Sequence, residues 1–238
     1  MPTEICDSSQ LANVAAQRIA AELRRRIALE GRVSLALAGG TTPRAAYEAL
    51  AKIPAINWAQ VSVYFGDERA VPPDHPDSNF LMAQAALFSR VALPPENIHR
   101  IRGEEPDQDA VARAYEALLP ERLSVMILGI GEDGHTASLF PGSPALKERA
   151  RKVVPVIGPK PPPQRLSVTP PVIEAAELCL VLASGESKAE AVKRALCEPL
   201  NIDVTPSGLA RNGLWLLDHA AAAQLRDSPG GDQSQEGA

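Results

Sequence analysis

Apolar positions recur at helical spacing through Leu11, Val14, Ala15, Ile19, Leu23 and Ile27, which predicts a helix over residues 8–30 that stops at Gly31. The pattern then shortens. VSLALAGG, Val33 to Gly40, is an unbroken apolar run ending in glycines, and it reads as a buried strand. Helix 43–52 follows, then a strand at VSVYFGDE, residues 61–68, and helices over 77–89 and 107–119. SVMILGIG, residues 124–131, repeats the strand-then-glycine pattern. Further strands are expected at 153–157, 165–169, 178–183 and 213–217, with helices at 186–197, 206–211 and 219–226. Strands alternating with helices imply parallel βαβ units, so the expected fold is α/β, a three-layer α/β/α sandwich. Ligands of such sheets bind beyond the carboxyl ends of the strands, where this chain places its unusual polar segments.

Two stretches interrupt the pattern. GPKPPPQ, residues 158–164, is too proline-rich for a helix and is expected to be extended, near polyproline II. The polar, Gly- and Ser-containing tail 226–238 is expected to be disordered, leaving residues 1–225 as one α/β domain.

Composition narrows the classes of function. A net charge of -5 gives no reason to expect nucleic acid as a partner, although a few local cations suffice for a small anion. No run approaches ~18 apolar residues and no basic-then-apolar leader opens the chain, so no membrane partner and a cytoplasmic location are expected. The three cysteines, Cys6, Cys179 and Cys197, are too few and too scattered for a disulfide framework or a metal site; Cys179, in LCLVL, reads as core.

Four segments carry candidate chemistry. In AGGTTPRAAYEAL, Gly39 and Gly40 end a strand, Thr42 suits an N-cap and Pro43 the first helical position. Such a helix start, with Thr41 and Thr42 beside it, offers free N–H groups to a phosphate, or is simply a strand–helix joint. In FGDERAVPPDHPDSNF, Asp67, Glu68 and Arg69 crowd a strand end. Either they pair among themselves, or Arg69 grips an anion while the carboxylates meet hydroxyls or a cation. Ser78 and Asn79 suit the cap of the next helix, and His75 between prolines suits the surface.

GIGEDGHTASLFPG, Gly129 to Gly142, places His135 in a glycine-rich loop after a buried strand. An imidazole there can take a proton from water, and Asp133 stands two residues away to orient it. Last, Lys188 of SGESKAEAV opens a helix, where a cation is tolerable if an anion is shared, and Arg165 of RLSVT is a second anion grip or an ion-paired strand residue. Rival chemistries lack their signatures: there is no GxSxG, GxxxxGK[ST], HExxH or paired CxxC. GIGEDG has the GxGxxG spacing, but its Glu-Asp pair would oppose a pyrophosphate.

AGGTTP, GDERAVPPDHPDSN, LGIGEDGHTASLFPG, KPPPQRLSVT, SGESK and GLWLLDHAAA, in that order over about residues 30–223, resemble the 6-phosphogluconolactonase family. The resemblance implies a Rossmann-like, mainly parallel sheet, as in glucosamine-6-phosphate deaminases and ribose-5-phosphate isomerases. It implies hydrolysis of 6-phospho-D-glucono-1,5-lactone without metal or cofactor, with a small sugar-phosphate lactone as the only partner besides a possible second copy; a monomer and a small homo-oligomer are both compatible. It makes His135 the general base and places Arg69, Lys188 and the Gly39–Thr42 loop at the phosphate. Asp133 and Asp67 are left to orient the histidine or meet hydroxyls, and either the backbone N–H groups of the glycine loop or Arg165 to steady an oxyanion. Deaminases share the GGxTP and GxDGH segments but continue IAFNEP, where this chain reads TASLFPG.

Overall fold

The computed structural model describes residues 2–225. The tail expected at 226–238 lies outside the described residues. Six strands form one parallel sheet: β1 (Thr3–Cys6), β2 (Val33–Leu37), β3 (Val61–Phe65), β5 (Val125–Gly129), β8 (Cys179–Ala183) and β9 (Leu214–Asp218). Their order across the sheet is β1-β9-β8-β5-β2-β3, with helices on both sides. The expected α/β/α architecture is therefore present. Residues Val125–Leu128 of β5 and all of β8 are buried, which is why their sequences are apolar without alternation.

Helix α1 (Ser8–Glu30) covers the sheet with Leu11, Ala15, Ile19 and Leu23, and packs on α2 (Thr41–Leu50). It ends as its sequence predicts: Gly31 takes a left-handed φ of 77° and its N–H donates to Ile27 O at 2.9 Å. The other helices are α3 (Asn79–Ala86), α4 (Gln108–Glu116), α5 (Pro170–Ala175) and α6 (Ala189–Cys197). The segments expected as helices at 206–211 and 219–226 are only short 3-10 turns, Pro206–Ala210 and Ala223–Leu225.

Four expectations need correction. The run 61–68 is two strands, because the chain breaks at Gly66 and β4 (Asp67–Arg69) leaves the parallel sheet. The strands near 153–157 and 165–169, β6 (Val153–Ile157) and β7 (Gln164–Val168), do not extend that sheet either. They join β4 in a separate antiparallel sheet of order β4-β7-β6. The proline-rich stretch is a loop, as expected, but it turns back between β6 and β7 in place of running extended: Gly158 N–H donates to Pro163 O at 2.7 Å, and Gln164 already belongs to β7. Helix α2 begins at Thr41, so Gly40 with its φ of 104° holds the N-cap place assigned to Thr42, and no side chain caps that end. Strand β1, too short and too charged to show a pattern, was not anticipated; it pairs with β9 at the sheet edge.

The winding of the main sheet places the site. From β2 the chain moves outward to β3; from β5 it moves the other way, to β8 and then β9. The carboxyl ends of β2 and β5 therefore flank a crevice at the point of reversal, and the two glycine loops, 39–40 and 129–131, emerge there. A Cβ built on Gly129 would lie 4.0 Å from Gly39 O, so the loops run close together.

Candidate active site

At that crevice a cleft of about 190 Å³ is lined by Ala38, Gly39, Gly40, Asp67, Arg69, Gly129, Ile130, Gly131, His135, Ala137, Arg165 and Lys188. Larger hollows exist, one of about 570 Å³ below the amino end of β8, but none of them gathers these groups. Thus Gly39, Gly40, Asp67, Arg69, His135, Arg165 and Lys188, scattered over 150 positions of sequence, come to one cleft. Thr41 and Thr42 do not line it: they form the first turn of α2, Thr41 exposed and Thr42 half-buried. Asp133 lies just behind, in contact with His135.

His135 and Asp133 form a tight pair. Asp133 Oδ1 is 2.6 Å from His135 Nδ1 and accepts the His135 backbone N–H at 3.1 Å. Burial pushes the Asp133 carboxyl up, but the hydrogen bonds and charge of His135 outweigh it and hold the group at about 2. With Nδ1 engaged by a carboxylate, the neutral imidazole keeps its proton there and leaves Nε2 as the free lone pair. A larger residue at 131 would displace the pair, since a Cβ on Gly131 would lie 2.0 Å from His135 Nδ1 and 2.4 Å from Asp133 Oδ1. Arg194 of α6 steadies the same loop through Asp133 O at 3.3 Å, and Ser207 N–H donates to Gly134 O at 2.9 Å.

Strand β4 divides its side chains between two tasks. Successive residues point to opposite faces, so Asp67 and Arg69 reach the cleft while Glu68 points away. Glu68 is buried and accepts the backbone N–H groups of Asn79 and Phe80, both at 2.8 Å, and the Ser78 hydroxyl at 3.1 Å. It thereby holds the start of α3, where Ser78 is the N-cap as its sequence suggests. Burial pushes the Glu68 carboxyl up, against these hydrogen bonds. Asp67, also buried, accepts Ser138 Oγ at 2.6 Å and Asn79 Nδ2 at 3.2 Å.

Arg69 on β4 stands directly across from Arg165 on β7. Neither guanidinium has a carboxylate within 4 Å among the described residues; both donate only to main-chain carbonyls, Asp77 O for Arg69 and Pro162 O and Lys160 O for Arg165. The Arg69 Nε is buried without any partner. Burial, then the neighbouring Arg69 charge, lower the Arg165 pKa, with Asp67 partly offsetting them. Two like charges side by side with an unsatisfied donor call for an anion. Lys188, in the turn before α6, faces the same cleft and among the described residues has only Glu132, at 4.0 Å, as a distant counter-charge. Its loop is fixed by buried Asp218, which accepts Ser184 Oγ at 2.6 Å and Gly185 N–H at 3.0 Å.

Two residues of the TASLFPG continuation matter that the sequence left without a role. Ser138 anchors Asp67, and the Phe140 ring lies 4.7 Å from the His135 ring. Nothing in local spacing reveals either contact, because their partners lie on strands distant in sequence or across a turn. The remaining histidines are elsewhere: His75 is half-buried, His219 is exposed, and His99 stacks on Tyr64. Cys179 is core, its thiol pushed up to about 12 by burial. Among the described residues no group of three His, Cys, Asp or Glu side chains is placed to hold a metal ion, and no helix is long and apolar enough to cross a membrane.

Comparison with known proteins agrees with this geometry. Residues 6–215 match the family model described as glucosamine-6-phosphate isomerases/6-phosphogluconolactonase. A 6-phosphogluconolactonase of Streptomyces coelicolor is 38% identical, over 92% of either chain. The solved structure of 6-phosphogluconolactonase from Trypanosoma brucei superposes with a TM-score of 0.84 at 29% identity, covering 94% of this chain and 98% of that one. A monomeric glucosamine-6-phosphate deaminase superposes equally well, TM-score 0.84, covering 94% and 100% of the two chains, but at 23% identity it speaks for the fold alone. The chain belongs to the glucosamine-6-phosphate isomerase/6-phosphogluconolactonase family.

Proposed function

We propose that this protein hydrolyses 6-phospho-D-glucono-1,5-lactone to 6-phosphogluconate, the lactonase step of the oxidative pentose phosphate pathway, with His135 as general base and no metal. The observation that carries the mechanism is the meeting, in one cleft, of a carboxylate-held imidazole with two arginines that have no carboxylate within 4 Å among the described residues. The relatives named above carry the choice of substrate.

In this reading Arg69, Lys188 and the main chain of Gly39 and Gly40 take the phosphate, with the first turn of α2 adding its dipole. Holding that remote group positions C1 of the ring beside His135. His135 Nε2 takes a proton from water as its oxygen attacks C1. The carbonyl electrons move onto oxygen, and Arg165, on the His135 side of the arginine pair through its contact with Phe140, steadies that charge. When the tetrahedral intermediate collapses, the bond from C1 to the ring oxygen breaks and His135 returns the proton to that oxygen. Asp133 fixes the imidazole throughout and stabilises its charged form. Asp67, rigidly held by Ser138 and Asn79, presents its remaining lone pairs to sugar hydroxyls.

The direct test is release of 6-phosphogluconate by the purified protein, coupled to 6-phosphogluconate dehydrogenase and compared with spontaneous hydrolysis. Turnover well above background, unchanged by chelator, is expected. Loss of activity on chelation overturns the metal-free scheme, and ammonia release from glucosamine 6-phosphate in place of lactone turnover overturns the assignment.

A further inference from the structure

We infer that Phe140 is a positioning residue that locks the base and one arginine into a single rigid unit. Its ring centroid lies 4.7 Å from that of His135, with the planes at 44°. The same ring carries the Arg165 guanidinium, whose central carbon is 5.6 Å from the centroid. One side chain thus touches both the group that moves the proton and the cation beside it, while standing outside the lining of the cleft. Phe140 is 8% exposed, so its own position is fixed by packing. The main chain opposite has no room to spare: a Cβ on Gly158 would lie 2.9 Å from Arg165 Nε and 3.0 Å from Phe140 Cε2.

The need for such a clamp follows from the exposure of the base. His135 sits on a glycine-rich loop with 31% of its side chain exposed, and its Asp133 partner is more exposed still, only two residues away on the same loop. A hydrogen bond within one short loop cannot fix the imidazole against the arginine-bearing strand. The Phe140 ring can, because it spans from the loop to β7. Behind Phe140 and Asp133 an open hollow of about 470 Å³, shared with Pro141, Pro144 and Ile157, admits solvent. Without the ring, water reaches the imidazole from that side and the histidine is free to turn away from Asp133. A cation over an aromatic face is attracted by the ring's electron density, which biases the Arg165 rotamer as well.

The inference rests on His135 being the base, and its test separates the two. Phe140→Leu and Phe140→Met keep apolar bulk and lose the ring. Both are expected to lower kcat about tenfold while KM for the lactone and the affinity for product by calorimetry stay within about twofold. In ¹⁵N spectra of the imidazoles, His135 is expected to show one tautomer in the parent protein, protonated at Nδ1, and averaged tautomers in the variants. A parent-like kcat in both folded variants, a KM rise equal to the fall in kcat, or an unchanged His135 spectrum overturns the role of Phe140. His135→Ala with parent-like activity overturns the base itself, a result that the Phe140 variants alone cannot produce.

Discussion

The two walls of the cleft hold their charged groups by opposite means. On the loop wall, the His135–Asp133 pair is complete before any ligand arrives: the carboxylate is engaged at 2.6 Å and its pKa sits at about 2. On the antiparallel wall, Arg69 and Arg165 face each other across β4 and β7 with no carboxylate within 4 Å among the described residues and one buried N–H unpaired. A group that must transfer a proton gains from fixed geometry in the free enzyme. A group that must bind an anion gains from being left electrostatically unsatisfied, because the ligand then relieves the repulsion. In the proposed scheme proton transfer by His135 and phosphate binding by Arg69 are thus placed on different elements and should separate under mutation, with Arg165 acting on the chemistry from the antiparallel wall.

The largest effect is expected from His135→Ala. Kinetics above the spontaneous rate should show kcat lowered by roughly 10²–10⁴-fold with KM nearly unchanged. A variant within about threefold of the parent removes His135 from the base role. Next come Arg69→Ala and Arg165→Ala. Losing a charge-assisted contact of ~1.5–3 kcal/mol at Arg69 should raise KM by roughly 10–100-fold with little change in kcat. Arg165→Ala should instead fall mainly on kcat, and an equal KM rise in both would place both arginines at the phosphate. Because the two are adjacent and repel, their double variant should not be additive.

Asp133→Asn sharpens the loop side of the comparison. An amide cannot hold the imidazolium, so kcat is expected to fall by about 10-fold or somewhat more, again without a change in KM. The pH dependence has a definite sign. The folded-state pKa of Asp133 is depressed, to about 2 from the ordinary 3.8, so its ion-pair contribution is present above 3.8 and disappears as pH falls through about 2. Carbon NMR of the Asp133 carboxyl should show no titration step at 3.8. The smallest effect on catalysis is expected from Glu68→Gln, one residue from each cleft residue of β4. Its carboxylate holds the start of α3, so the denaturation midpoint should fall by the equivalent of about 1–3 kcal/mol while KM and kcat stay near parental values. A large KM change there would mean that β4 does not divide its faces as described.

The same contrast marks what was legible in the chain. The loop wall could be read almost whole, because His135, Asp133 and the glycines that make room for them lie within seven residues, and the main strands announced themselves by apolar runs. Arg69 and Arg165 were both candidates, but their pairing was not visible: the strand 61–68 looked continuous, and β6 and β7 looked like further members of one parallel sheet. Apolar strands carry no label for the sheet they join; Gly66, which lets the chain leave one sheet for the other, reads like any other glycine. Phe140 and Ser138 had no role of their own in the sequence; both are buried, and only their neighbours give them a part in the site.

By itself the sequence determined the class of architecture, the glycine loop that carries His135 and the set of residues from which the candidate site is drawn, because these depend on local periodicity, turn chemistry and spacing. Tertiary structure alone decided the arginine pair, the removal of Thr41 and Thr42 from the cleft wall, the assignment of Asp67 inward and Glu68 outward, and the Phe140 clamp. Each of these depends on which strands become neighbours across a large gap in sequence. That choice is made by burial of the whole core, not by any one segment.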